Sequence, residues 1–155
     1  MASPAAAFGW NCIVPSNKVN RSDLPIILVE DNEDDAFLMM RALKIAGIAT
    51  PIKILTDGQQ AIDYLSACAN GNPEAGHALR SLFFLDLKLP YLNGFEVLAW
   101  LRERKEFDAI SVIILTGSAE ARDRDKAMAL GAQNYLVKPP TSETLKTVFD
   151  SITAA

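Results

Sequence analysis

The sequence predicts a single α/β domain, a parallel β-sheet with helices on both faces. Two observations carry this expectation. Short apolar runs alternate with stretches of helical periodicity, five times in succession from Ile26 onward. The clearest of the runs, Leu82-Phe83-Phe84-Leu85, is continuously apolar, which suits a strand buried on both faces of a parallel sheet. Repeated β-α order implies right-handed crossovers and helices on both sides. The 155 residues suit one domain with a full core.

Residues 1–24 show no usable periodicity and are expected to form an N-terminal extension, flexible or draped on the surface, before a domain over residues 25–155. Ile26-Ile27-Leu28-Val29 is the first strand, ending in Glu30-Asp31-Asn32. Glu33 to Ala46 reads as a helix with Phe37, Met40, Leu43 and Ile45 as its apolar stripe, stopped by Gly47. Pro51 to Leu55 is the second strand. Asp57 is a candidate cap for a helix over Gly58–Cys68, with Ala61, Ile62 and Leu65 inward. Ala69 to Arg80 is a long loop. The third strand ends at Asp86, and Gly94 to Lys105 follows as a helix with Phe95, Leu98 and Leu101 inward. Ile110 to Leu115 is the fourth strand. Ser118 is a candidate N-cap for the helix Ala119–Leu130. Gln133 to Val137 is the fifth strand, and Thr141 opens a last helix to about Ile152, with Leu145, Val148, Phe149 and Ile152 on its apolar face.

Composition narrows the classes. Half the residues are hydrophobic and 22% are charged, ordinary for a globular protein. The net charge of −4 and pI near 5.0 argue against broad nucleic-acid binding and against attraction to anionic membranes. Cys12 and Cys68 form no CxxC pair and His77 stands alone, which argues against a zinc site and for free thiols in a reducing, cytoplasmic setting. No apolar run approaches the roughly 20 residues of a membrane span. Met1 to Trp10 lacks the basic start of a secretory signal.

Parallel α/β sheets bind ligands outside the carboxyl ends of their strands. Those ends deliver Glu30 and Asp31, Asp86, Thr116 and Lys138. A lone acid after a strand is ordinarily a turn cap, but three acids cannot all stay ionised in one cleft without compensation. A divalent cation and Lys138 would supply it, and a hard ion held by few carboxylates is the habit of magnesium. A lysine and a threonine hydroxyl suit phosphoryl oxygens. The set fits phosphoryl transfer to a carboxylate, with Asp86 as nucleophile, Lys138 neutralising charge and Thr116 positioning the group.

Glu30-Asp31, Leu85-Asp86-Leu87-Lys88-Leu89-Pro90 with Gly94, Thr116-Gly117-Ser118 and Tyr135-Leu136-Val137-Lys138-Pro139 together resemble the receiver domains of two-component response regulators, over Leu24 to about Ile152. The resemblance implies a flavodoxin-like (βα)5 three-layer sandwich with strand order 2-1-3-4-5. It implies that Asp86 accepts phosphate from a sensor histidine kinase, with Mg2+ held by Asp31, Asp86 and the Lys88 backbone carbonyl, and by Glu30 through water. Thr116 would shift toward the phosphoryl group and Tyr135 would turn inward behind it. The implied output surface, for a partner or a homodimer, is the face of helix four, strand five and helix five, leading to a downstream protein or a phosphotransfer partner. The implied protein is no enzyme in the ordinary sense, but a phosphoacceptor with autocatalysed transfer and slow self-dephosphorylation. Glu30-Asp31-Asn32-Glu33-Asp34-Asp35, Asp57-Gly58-Gln59-Gln60-Ala61 and the loop before strand three look closest to stand-alone receivers paired with phytochrome-type kinases. The chain ends three residues after Ile152, so no output domain is expected to follow.

Simpler readings stand beside these. Glu33, Asp34 and Asp35 suit a solvated helix start favoured by the dipole. Lys88 is a loop lysine, or its cation reaches the phosphoryl group and alters its lifetime. Gly117 reads as a turn residue and would also keep the mouth of the site open; Tyr135 is a strand aromatic or a switch; His77 is an exposed loop residue and Cys68 a packed one. Rival functions are a small aspartyl-phosphate hydrolase, although Lys88 stands where an Asp-x-Asp signature needs its second acid; a flavin carrier, although the first β-α loop is acidic; and a receiver-like scaffold that binds partners without phosphorylation.

Overall fold

A computed structural model describes residues 24–71 and 79–153; the expectations for the N-terminal extension and for His77 lie outside the described residues. The elements are β1 (Ile26–Val29), α1 (Glu33–Ile45), β2 (Ile52–Leu55), α2 (Gly58–Ala69), β3 (Leu82–Asp86), α3 (Gly94–Arg102), β4 (Ser111–Thr116), α4 (Ala121–Ala129), β5 (Asn134–Val137) and α5 (Ser142–Thr153). All strand pairs are parallel, in the order β2-β1-β3-β4-β5. The flavodoxin-like arrangement implied by the sequence is therefore present.

Successive strand residues point to opposite faces, so each strand feeds two cores. Ile26, Leu28, Leu82, Phe84, Ile113 and Leu115 face α1 and α5, where they meet Met39, Leu43, Leu145, Val148 and Phe149. Ile27, Val29, Phe83, Leu85, Val112 and Ile114 face α2, α3 and α4, where Leu65, Cys68, Val97, Leu98, Leu101 and Ala127 close the other layer. The expected burial of Cys68 holds.

Several expectations change. The inward stripe of α1 is Ala36, Met39 and Leu43; Phe37, Met40 and Ile45 are exposed. The small Ala36 lets the helix approach the sheet, and a side chain one position away is turned about 100° off that line. α3 stops at Arg102, short of Lys105, and a 3-10 turn over Lys105–Phe107 inserts Phe107 into the core. The Arg102 guanidinium holds this corner, donating to the carbonyls of Gly131 (3.1 Å), Phe107 (3.2 Å) and Ile110 (2.8 Å). Ser118 does not cap α4, which begins at Ala121 with Glu120 as its N-cap residue.

Local signals otherwise act as expected. Asp57 Oδ1 accepts from the Gln60 amide at 2.8 Å, and the Thr141 hydroxyl accepts from the Thr144 amide at 3.1 Å. Asn93 and Glu96 form a reciprocal capping box at the start of α3. That cap sets the first turn of α3 against the loop leaving β3. The Gly94 amide donates to the Leu87 carbonyl at 2.9 Å, so α3 braces the strand end that carries Asp86.

Candidate functional site

The sheet register brings four strand ends to one edge. Asp86 closes β3 opposite Leu115, and Thr116 closes β4 opposite Val137. The Glu30 amide donates to the Leu55 carbonyl at 2.9 Å and the Lys138 amide to the Thr116 carbonyl at 2.7 Å, continuing the ladders one residue past β1 and β5. The side chains that follow converge on an open cleft of about 410 Å³, lined in part by Glu30, Asp31, Asp35, Asp86, Lys88 and Lys138.

Lys138 is the hub. Its Nζ donates to Glu30 Oε1 at 2.9 Å, Asp35 Oδ2 at 3.0 Å and Asp86 Oδ2 at 3.2 Å. Glu30 and Asp86 are almost fully buried, so this cation is what makes their charge tolerable. Burial alone would lower the Lys138 pKa, but the hydrogen bonds to Glu30 and Asp35 and the attraction of Asp86 and Glu30 outweigh it and raise it. Glu30 is raised too, up to about 7, which for an acid disfavours the charge: burial is the main cause, Lys138 opposes it and neighbouring Asp86 adds to it.

Asp31 stands exposed at the mouth. One carboxylate oxygen from each of Glu30, Asp31 and Asp86 lies within 4.8 Å of the others, an all-oxygen donor set matching a hard divalent cation. The Lys88 amide donates to Asp86 Oδ1 at 3.2 Å, which orients the carboxylate, while the Lys88 side chain is exposed at the cleft.

Thr116 and Tyr135 are joined through one residue. Thr116 Oγ1 accepts from the Ser118 amide at 3.2 Å, and the Tyr135 hydroxyl donates to the Ser118 carbonyl at 2.9 Å. Tyr135 is half-buried against the core, so its ring is tied to the loop that leaves Thr116. A Cβ on Gly117 would meet nothing within 4 Å, so the expected open space beside this loop is present.

Glu30, Asp31, Asp86, Lys88 and Lys138 thus line one cleft, and Thr116 closes β4 one residue before Gly117 in that lining. Two participants were missed. Asp35, assigned to a solvated helix start, is a partner of Lys138. Ser118, assigned to a cap, is the connector between Thr116 and Tyr135. The signal for Asp35 was its spacing: helical side chains lean back toward the N-terminus, so an acid one turn into α1 overhangs the end of β1. Ser118 acts through its backbone, which side-chain chemistry does not announce.

Residues 26–150 match the response regulator receiver domain family. Response regulator Rcp1 of Synechocystis sp. strain PCC 6803 is 34% identical over 82% of each chain. Its Mn(2+)-bound crystal structure superposes with a TM-score of 0.62 at 32% identity, covering 84% of this chain and 90% of that one. The bacteriophytochrome response regulator AtBRR gives a TM-score of 0.71 at 32% identity over 84% and 92% of the two chains. The phosphorylated cyanobacterial phytochrome response regulator RcpA gives 0.66 at 30% identity over 83% and 90%.

Proposed function

Because the chain belongs to the response regulator receiver domain family, whose members act as phosphoacceptor switches, we propose that Asp86 accepts a phosphoryl group from the phosphohistidine of a sensor kinase. The observation that carries this is the Lys138 ammonium gripping Asp86 Oδ2 at the floor of the acidic cleft. A carboxylate oxygen of Asp86 forms the new O–P bond as the donor's P–N bond breaks, and the electron pair leaves with the imidazole, which takes a proton. Lys138 neutralises charge on the transferring oxygens. Thr116, whose hydroxyl oxygen accepts from the Ser118 amide at rest, donates its hydroxyl hydrogen to a phosphoryl oxygen.

Asp31, Asp86 and the Lys88 carbonyl would hold Mg2+, with Glu30 acting through water, and the ion would supply charge neutralisation on the phosphoryl oxygens. The manganese held by Rcp1 supports this choice of a hard divalent ion. The phytochrome-associated relatives make a phytochrome-type histidine kinase the favoured donor, in the cytoplasm. Among the described residues no helix is long and apolar enough to cross a membrane.

The signal leaves through Tyr135. A shift of Thr116 toward phosphate moves the Ser118 loop that holds the Tyr135 hydroxyl, and Tyr135 lies on β5, packed on the core layer that α4 closes. Exposed Met128 and Val137 give this face apolar contact area for a downstream protein, a phosphotransfer partner or a second copy. Slow self-dephosphorylation would return the site to rest.

Incubation with Mg2+ and phosphoramidate, read by intact mass, tests the proposal. The wild type is expected to gain one phosphate; Asp86→Asn or a chelator removes the gain. No gain in the wild type under any phosphodonor would favour a scaffold that binds partners unphosphorylated.

Metal binding carries a pH signature. Glu30, with its pKa at about 7, is largely protonated at pH 6 and must ionise to support a cation. Mg2+ affinity measured calorimetrically is therefore expected to climb from pH 6 to pH 8, with proton release on binding near pH 7, and Glu30→Gln should flatten the profile.

A further inference from the structure

The Lys138 ammonium has three N–H donors, and all three are taken at rest. A phosphoryl oxygen arriving on Asp86 needs one of them. Side-chain exposure ranks the present partners: Glu30 is 1% exposed, Asp86 5% and Asp35 37%. Losing the ammonium would strand Glu30 or Asp86 in a dry site, whereas Asp35 can take water in its place. Asp35 also sits in the first turn of α1, where the helix N-terminus favours an unpaired carboxylate. Its backbone would not need to move, because its amide is held by Asn32 Oδ1 at 3.0 Å.

We propose that Asp35 is a positioning residue and the exchangeable partner of Lys138: it holds the ammonium at rest and gives it up to the phosphoryl group. This rests on the reading of Asp86 as phosphoacceptor. In the step concerned the Asp86 O–P bond forms, the donor's P–N bond breaks with its electron pair leaving on nitrogen, and the nitrogen is protonated from solvent. The Lys138–Asp35 ion pair is lost as a Lys138–phosphoryl hydrogen bond is made. Asp35 thereby competes with phosphate for the lysine and slows transfer.

The test compares phosphorylation rate constants by intact mass, with phosphoramidate and saturating Mg2+, for the wild type, Asp35→Asn, Asp35→Glu and Asp34→Asn. Asp34→Asn removes the same charge from the same turn at an exposed position. Asp35→Asn is expected to react about two- to five-fold faster, the range of a partly exposed ion pair. Asp35→Glu, which can re-form the pair, returns to the wild-type rate, and Asp34→Asn stays there. An unchanged or lower rate in Asp35→Asn, or an equal gain in Asp34→Asn, overturns the exchange while leaving Asp86 as acceptor. A wild type that gains no phosphate overturns the phosphoacceptor reading itself, and the exchange with it.

Discussion

Lys138→Met is expected to lower the rate of phosphoryl transfer from phosphoramidate by about a hundred-fold or more, the effect of removing one preorganised charge-stabilising donor. It should also weaken the fold in a pH-dependent way. Removing the ammonium leaves Glu30 and Asp86 buried and facing each other without a cation. Breaking a buried pair by deleting one partner costs about 3–5 kcal/mol, less where the remaining acid can take up a proton. Glu30 can: its pKa already lies at about 7, and loss of the lysine hydrogen bond that lowers it pushes it higher. An acid whose folded pKa is raised loses stability as pH rises from its unfolded value of 4.5 through the folded one. Urea unfolding should therefore show Lys138→Met least destabilised near pH 5 and most destabilised near pH 8. A destabilisation that is the same at both pH values would mean that the lysine does not neutralise this pair.

Gly94→Ala should injure the same site from its other side. A Cβ at Gly94 would run into the Asp86 carbonyl oxygen and come within 2.8 Å of Leu87 Cα. Both neighbours are backbone, so relief requires α3 to move off β3 or the strand end to shift. Overpacking of this kind costs about 1–3 kcal/mol, and the backbone contact places this case at the upper end. Asp86 is positioned by that strand end and by the Lys88 amide, so the variant is expected to lose phosphorylation rate as well as stability. The two losses are separable: at a temperature where Gly94→Ala is fully folded, a wild-type rate would show that the brace serves stability alone.

Sequence pattern conveyed the sheet well because period and burial agree there. Each strand carries apolar side chains to both layers, and the run Leu82-Phe83-Phe84-Leu85 is buried along its whole length, as a strand covered on both faces requires. The strand-end residues were legible for the same reason, since topology alone carries Glu30, Asp86, Thr116 and Lys138 to one edge. α1 was harder. Apolar spacing selected Phe37, Met40, Leu43 and Ile45, of which Leu43 alone faces the sheet; close approach selects the small Ala36 and places Met39 in line with it and Leu43. Asp35 was obscured because an acid in a first helical turn already has a sufficient local explanation. Ser118 was obscured because its role lies in its amide and carbonyl, and α4 begins two residues later than its hydroxyl suggests.

The exposed apolar side chains of α1 belong to one layer of the fold, and the exposed Met128 lies on α4 in the other. Lys138 connects to α1 through Asp35, and Thr116 to Tyr135 of β5 through Ser118. A phosphoryl group on Asp86 would touch both chains of contacts at once. A group can shift a two-state equilibrium only by its differential interaction with the two states, and these two residues are where that difference would arise.

The most direct test is to locate the phosphoryl group. Borohydride reduction of the phosphorylated protein converts an acyl phosphate to the corresponding alcohol, and peptide sequencing by mass spectrometry then reads the position. Conversion at Asp86 alone is the predicted result. Conversion at Glu30 or Asp31 with Asp86 intact, or at no acid of the cleft, would contradict it.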